Sequence, residues 1–182
     1  MHLHSRALST ISIVVAIACL AARPTTAFAQ TAAPKLDDPT IVAIVDAANT
    51  YDIETSSLAV TKGHSKVVRD FAAMLERDHR NVRAQDRNLA ASLKVTPTPP
   101  RDFALAKAHR AAMASLRKAH GQDFDRVFLQ QEVDFHNAVI DAVTTTLLPA
   151  IQNAQLKDLV TKVAPAFVAH RDRAQSLLNE IK

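Results

Sequence analysis

Asp125, Glu132 and His136 stand seven and four residues apart in the stretch D-F-D-R-V-F-L-Q-Q-E-V-D-F-H-N-A-V-I, which runs from Asp123 to Ile140. That spacing places all three on one face of a helix. Phe128, Leu129, Val139 and Ile140 share the same side. Ionisable groups that turn toward an apolar seam are costly to bury unless they pair, hydrogen-bond or bind a metal. The chemistry to expect is therefore metal ligation or a closed polar network.

Comparable residues recur elsewhere in the chain. Asp78 and His79 lie near the apolar stripe of Val68, Phe71, Leu75, Val82 and Leu89, and Glu76 precedes His79 by three. His170 holds a core position in the series Leu156, Leu159, Val163, Phe167, His170, Ala174, Leu177 and Ile181. Glu54 falls in a stripe of Ile44, Ala47, Tyr51 and Leu58. Carboxylate and imidazole donors without sulfur suit iron, zinc, manganese or copper. The candidate metal ligands are thus Glu54, Asp78, His79, Asp125, His136 and His170. Each has a plainer reading as well. The histidines could close a hydrogen-bonded network that fixes helix register, Asp125 could serve the first turn of its helix, and Asp78 could orient a histidine. Glu76 is expected in solvent, paired with Arg80. Glu132, four residues before His136 rather than three, is the weakest of the acids. His64, His109 and His120 read as surface residues.

Other chemistries find no support. With two glycines there is neither a phosphate-cradling loop nor a Gly-x-Ser-x-Gly elbow, and Cys19 is the single cysteine. The balance falls on a binding or structural protein rather than an enzyme.

The elements that must position these residues are helices. The region after Pro39 is rich in Ala and Leu, lacks strand-like alternation, and keeps Gly63, Gly121 and the Pro97–Pro100 cluster at boundaries. Four long helices are expected, near 38–62, 65–93, 123–147 and 154–181, with a shorter one near 102–119. Asp38 is the expected N-cap of the first, with Pro39 following. Pro165 is expected to kink the last helix. Inward Glu, Asp and His on long amphipathic helices are how bundle cores build metal sites.

Residues 1–29 read as an export signal: Arg6, an apolar stretch from Ala7 to Ala22, then Ala27-Phe28-Ala29 before Gln30. The expected location is the periplasm, with lipid anchoring at Cys19 as the alternative. Residues 30–37 would be a disordered linker and 38–182 one bundle domain without a transmembrane segment. Of 22 Lys+Arg and 18 Asp+Glu, only Arg6 and Arg23 precede residue 30, leaving 20 against 18. Interleaved charges at near balance give no nucleic-acid footprint. A homo-oligomer is compatible with such a bundle.

The region from Asp38 to Leu178 resembles the DUF4142 proteins, exported bacterial bundles grouped with ferritin-like folds. The resemblance is carried by Glu54, by Met74-Leu75-Glu76-Arg77-Asp78-His79, by Phe124-Asp125, by Val133-Asp134-Phe135-His136, and by Ala164-Pro165 with His170. It implies a ferritin-like antiparallel four-helix bundle with one additional shorter helix, in the cell envelope. It implies no particular activity. A ferritin-like di-metal pattern would repeat Glu-x-x-His, whereas Phe167 stands three before His170. The residues therefore suit a mononuclear or asymmetric site better than a bridged one. The competing reading is an envelope or stress-tolerance protein whose buried Asp/Glu/His network is structural.

Overall fold

Residues 36–101 and 103–181 are described by a computed structural model. The expected leader, Cys19 and most of the expected linker lie outside the described residues. The described chain is all-α: α1 (Asp38–Lys62), α2 (Lys66–Ser92), the shorter α3 (Ala104–Lys118), α4 (Gly121–Ala142) and α5 (Ala154–Glu180). α4 runs on through a wide π turn at Val143–Leu147 and a last turn at Leu148–Ala150. Pro149 lacks an N–H, and Thr144 and Thr145 bond back to the carbonyls of Ile140 and Asp141, so the regular ladder loosens there. Pro165 is accommodated inside an unbroken α5. Thr161, one turn earlier, and Pro165 both line an apolar cavity of about 420 Å³ against α4.

α1 pairs with α2 and α4 with α5 as antiparallel hairpins, and α2–α5 and α1–α4 contacts close the bundle. Each hairpin loop is tied by a carboxylate from the other hairpin. Asp125 of α4 accepts from the backbone N–H of His64 and Ser65, at 2.8 and 2.9 Å. Asp38 of α1 accepts from those of Gln152 and Asn153, at 2.9 and 2.8 Å. Asp38 therefore does not cap its own helix as expected. Asp37 does, accepting from Thr40 N, and Leu36 already packs on the core. Gly63 is required by close approach, since a Cβ there would lie 2.7 Å from the Ala59 carbonyl oxygen. Gly121 is required by its backbone, at φ +57°.

The interior is layered along the bundle axis. One end is an apolar cluster built on Phe71, Leu75, Phe124, Phe128, Leu129 and Leu177. The other is built on Ile41, Val42, Val45, Val143, Leu156 and Val160. Between these layers α1 contributes Asn49 and Asp52, α2 His79, α4 Glu132 and His136, and α5 His170, all buried. α3 leans on α1 and α4 from outside, burying only Leu116 completely. Lys62 caps its end through the carbonyls of Leu116 and Arg117.

Candidate metal centre

Three imidazoles from three helices meet in the polar layer. The ring centroids of His79, His136 and His170 are 5.2 to 5.6 Å apart. One nitrogen of each ring is held from behind. His79 Nδ1 donates to Asn49 Oδ1 at 2.9 Å, and His136 Nδ1 to the Glu132 carbonyl oxygen at 2.9 Å. His170 Nε2 donates to Asp78 Oδ2 at 3.3 Å. These bonds set the tautomers, so the opposite nitrogens present lone pairs to the centre. Phe167 stacks on the His79 ring at 5.8 Å and 9°, which fixes its plane.

Two carboxylates join the histidines with the same half-held geometry. Asp52 Oδ1 accepts from Ser56 Oγ at 3.1 Å, and Glu132 Oε1 from Thr55 Oγ1 at 3.4 Å. Their second oxygens have no hydrogen-bond partner. Asp52 Oδ2 lies 3.3 Å from His79 Nε2 and 3.8 Å from His136 Nε2, while Glu132 Oε2 lies 3.5 Å from His136 Nδ1. Ligand atoms of His79, His136 and His170, and likewise of Asp52, Glu132 and His136, lie within 4.8 Å of one another.

Asp52 Oδ2, His79 Nε2, Glu132 Oε2, His136 Nε2 and His170 Nδ1 are all buried without a hydrogen-bond partner. The charge states follow from that burial. Desolvation pulls His79 down to about 3, with His170 adding to the effect and Asp78 opposing it. It pulls His136 down to about 4 against the attraction of Asp52. It raises Asp52, and raises Glu132 well above the carboxylate range with Asp52 reinforcing. Neutral imidazoles are the ligand form, and a cation would restore the carboxylates.

The six sequence candidates are placed unequally. His79, His136 and His170 come together at the centre. Asp78 is a third exposed and bonds the outer nitrogen of His170, so it positions that ring. Asp125 is buried but lies eleven residues before His136, about 16 Å along the helix at the usual rise. It is occupied with the α1–α2 loop. Glu54 is not in an apolar seam: its side chain is half exposed and pairs with His109 Nε2 at 2.7 Å. His109 in turn is no open surface residue, its side chain being 10% exposed. Glu76 pairs with Arg80 and Ser57, away from the centre.

The acids that reach the centre are Asp52, absent from the candidates, and Glu132, ranked lowest. A signal for Asp52 existed: Ile41, Val45, Asn49, Asp52, Ser56 and Ala59 recur at helical spacing. Half of that stripe is polar, so hydropathy pointed to the face of Tyr51 and Glu54 instead. Asp52 and Glu54 differ by about 200° around a helix of 3.6 residues per turn. Asp125→Ala is expected to cost about 2 kcal/mol in urea unfolding, because two buried N–H groups lose a charged acceptor. Metal uptake should be unchanged by it.

Fold and site together define an all-α protein of five antiparallel helices with buried His/Asp/Glu clusters that could hold a metal. The chain belongs to the DUF4142 family, a domain of unknown function, whose family model matches residues 23–177. It is similar in fold to a crystal structure of a DUF305 fragment from Deinococcus radiodurans. The two superpose with a TM-score of 0.70 at 14% identity, over 81% of this chain and 97% of that one. Among curated proteins nothing matches this chain. No described helix is long and apolar enough to cross a membrane.

Proposed function

We propose that this protein is an exported, periplasmic binder of a transition-metal ion, held by His79, His136 and His170 with Asp52 and Glu132. The observation that carries the reading is two overlapping triads, His79–His136–His170 and Asp52–Glu132–His136, whose ligand atoms lie within 4.8 Å of one another in each, in a layer where five buried atoms lack a hydrogen-bond partner. Each such atom costs about 1–3 kcal/mol when unpaired. Together they rival the whole stability of an ordinary domain, about 5–15 kcal/mol. The imidazole hydrogens point outward to Asn49, Asp78 and the Glu132 carbonyl, which turns the three inner ring nitrogens toward the centre as acceptors.

Three imidazoles and two carboxylates suit zinc, iron, manganese or copper, and offer no soft sulfur donor. A bound ion would supply Lewis acidity or, if redox-active, one-electron chemistry. The chain's own residues orient the donors, and burial keeps the His79 and His136 imidazoles neutral. The export pattern ending in Ala27-Phe28-Ala29 supports the periplasmic location. Native purification from the periplasmic fraction, followed by plasma mass spectrometry, tests the reading. About one metal per chain is expected, with less than a tenth of that in His136→Ala/His170→Ala. Equal metal in both proteins would overturn it.

A further inference from the structure

α3 differs from the other helices in the sign of its charges. Ala104–Lys118 holds Lys107, Arg110, Arg117 and Lys118 and no acidic residue. Four of the 20 basic residues that follow residue 29 thus lie here, and none of the 18 acidic ones, so acids are in excess over the rest of that region. The four cations share one side. At 3.6 residues per turn they fall within an arc of about 100°, with Ala114 among them. Leu116, fully buried, and His109, which pairs with Glu54, point the opposite way. The stripe therefore lies along the outer side of a helix that rests on α1 and α4. It spans about 16 Å from Lys107 to Lys118 at the usual rise.

Ordinary solvation does not account for this pattern. On α2 the exposed charges alternate in sign and pair along the helix, as Lys66 does with Asp70 and Arg80 with Glu76. Lys107, Arg110, Arg117 and Lys118 are all exposed and form no ion pair among the described residues. Arg117 and Lys118 suit the last turn, where the helix dipole favours cations. Lys107 and Arg110 stand in the first half of the helix, three residues apart, where like charges repel. The nearby acids do not relieve them: Glu54 is held by His109, and Asp134 lines the space beneath α3.

The chemistry of the face selects its partner. Between the cations stand alanines, with no aromatic or large apolar side chain exposed. The face therefore lacks the apolar anchors on which a protein partner's affinity rests and the rings on which single-stranded nucleic acid stacks. It offers point charges along a convex ridge, which a plane of phosphates meets all together. We propose that the outer face of α3 docks this protein on an anionic phospholipid surface, with Lys107, Arg110, Arg117 and Lys118 against the headgroup phosphates. The docking is peripheral, since no described helix is long and apolar enough to cross a membrane. It does not depend on the metal.

Each Lys or Arg near an anionic bilayer raises affinity about five-fold, so the four together are worth several hundred-fold. The natively purified protein should cosediment with vesicles of phosphatidylglycerol and phosphatidylcholine, half bound at about millimolar lipid in low salt. It should not cosediment with phosphatidylcholine alone. Binding should vanish in about 1 M salt, where charges are screened within about 3 Å. Lys107→Gln/Arg110→Gln/Arg117→Gln/Lys118→Gln should weaken binding more than a hundred-fold, with circular dichroism and melting as in the native chain, because glutamine is a good helix former. Lys107→Gln/Arg110→Gln, the milder variant, should lose about thirty-fold. Lys66→Gln/Lys157→Gln/Lys162→Gln/Arg173→Gln removes the same charge from exposed sites on α2 and α5 and should bind as the native chain does. No binding to the anionic vesicles, equal binding to phosphatidylcholine alone, or equal losses in the two fourfold variants would overturn the proposal. So would tighter binding to duplex DNA at equal phosphate, which would assign the stripe to nucleic acid.

Discussion

Saturating the metal-free protein with its metal is expected to raise the melting temperature by roughly 10 °C. A ligand bound only by the native state at a thousand times its Kd adds about 4 kcal/mol. For a domain of this size each kcal/mol moves the midpoint by about 2–4 °C. Zn(II), Mn(II), Fe(II) and Cu(II) would be titrated in turn while unfolding is followed by circular dichroism. His136→Leu should abolish the shift, because His136 belongs to both donor groups. In the metal-free state the same variant should be as stable as the native chain or more so. An apolar side chain of similar size there replaces a buried group whose inner nitrogen has no partner. A metal-free His136→Leu protein destabilised by several kcal/mol, with no metal-induced shift in the native chain, would make the cluster a structural network instead.

Asp86→Asn is expected to stabilise the protein at alkaline pH and to lose that advantage in acid. Asp86 is wholly buried on α2 and neither oxygen has a hydrogen-bond partner. Burial, reinforced by the negative charge of Asp46, pushes its carboxyl up to about 7 from the ordinary 3.8. Arg87 opposes the shift, but its guanidinium is committed to Asp46, with Nη2 3.0 Å from Oδ2. Between the two values the native state keeps a proton that the unfolded chain has released. Stability is therefore fullest below about 4 and is lost as pH rises through 7. At about 1.4 kcal/mol per unit, the gap between Asp86→Asn and the native chain should widen by about 3 kcal/mol from pH 4.5 to pH 8. Parallel urea titrations at the two pH values read this difference, and histidine titration, common to both proteins, cancels. A gap of the same size at both pH values would show that Asp86 is solvated or paired in solution.

Much of the architecture was legible before any tertiary information. The second helix begins where its range was expected to, with Ser65 as N-cap accepting from Val68 N, and the periodic stripes of α2, α4 and α5 are the buried faces. Those stripes placed His79, His136 and His170 inward because their neighbours at three- and four-residue spacing are strongly apolar. α1 was harder for a physical reason. It buries one face in the bundle and rests another on α3, and the bundle face is itself polar at Asn49, Asp52 and Ser56. Hydropathy contrast therefore selected Tyr51 and Glu54, which belong to the α3-facing side.

Composition and periodicity alone determine an all-α chain with four long helices, one short helix and three inward histidines. They do so because capping, helix propensity and the 3.6-residue repeat act within one segment. Which carboxylate meets those histidines is decided by how each helix is rotated against its neighbours. That rotation brings Asp52 and Glu132 to the centre, assigns Asp125 and Asp38 to the loops of the opposite hairpin, and turns Glu54 outward to His109. A rotation of this kind is a property of packing between segments distant in sequence, and no local signal carries it.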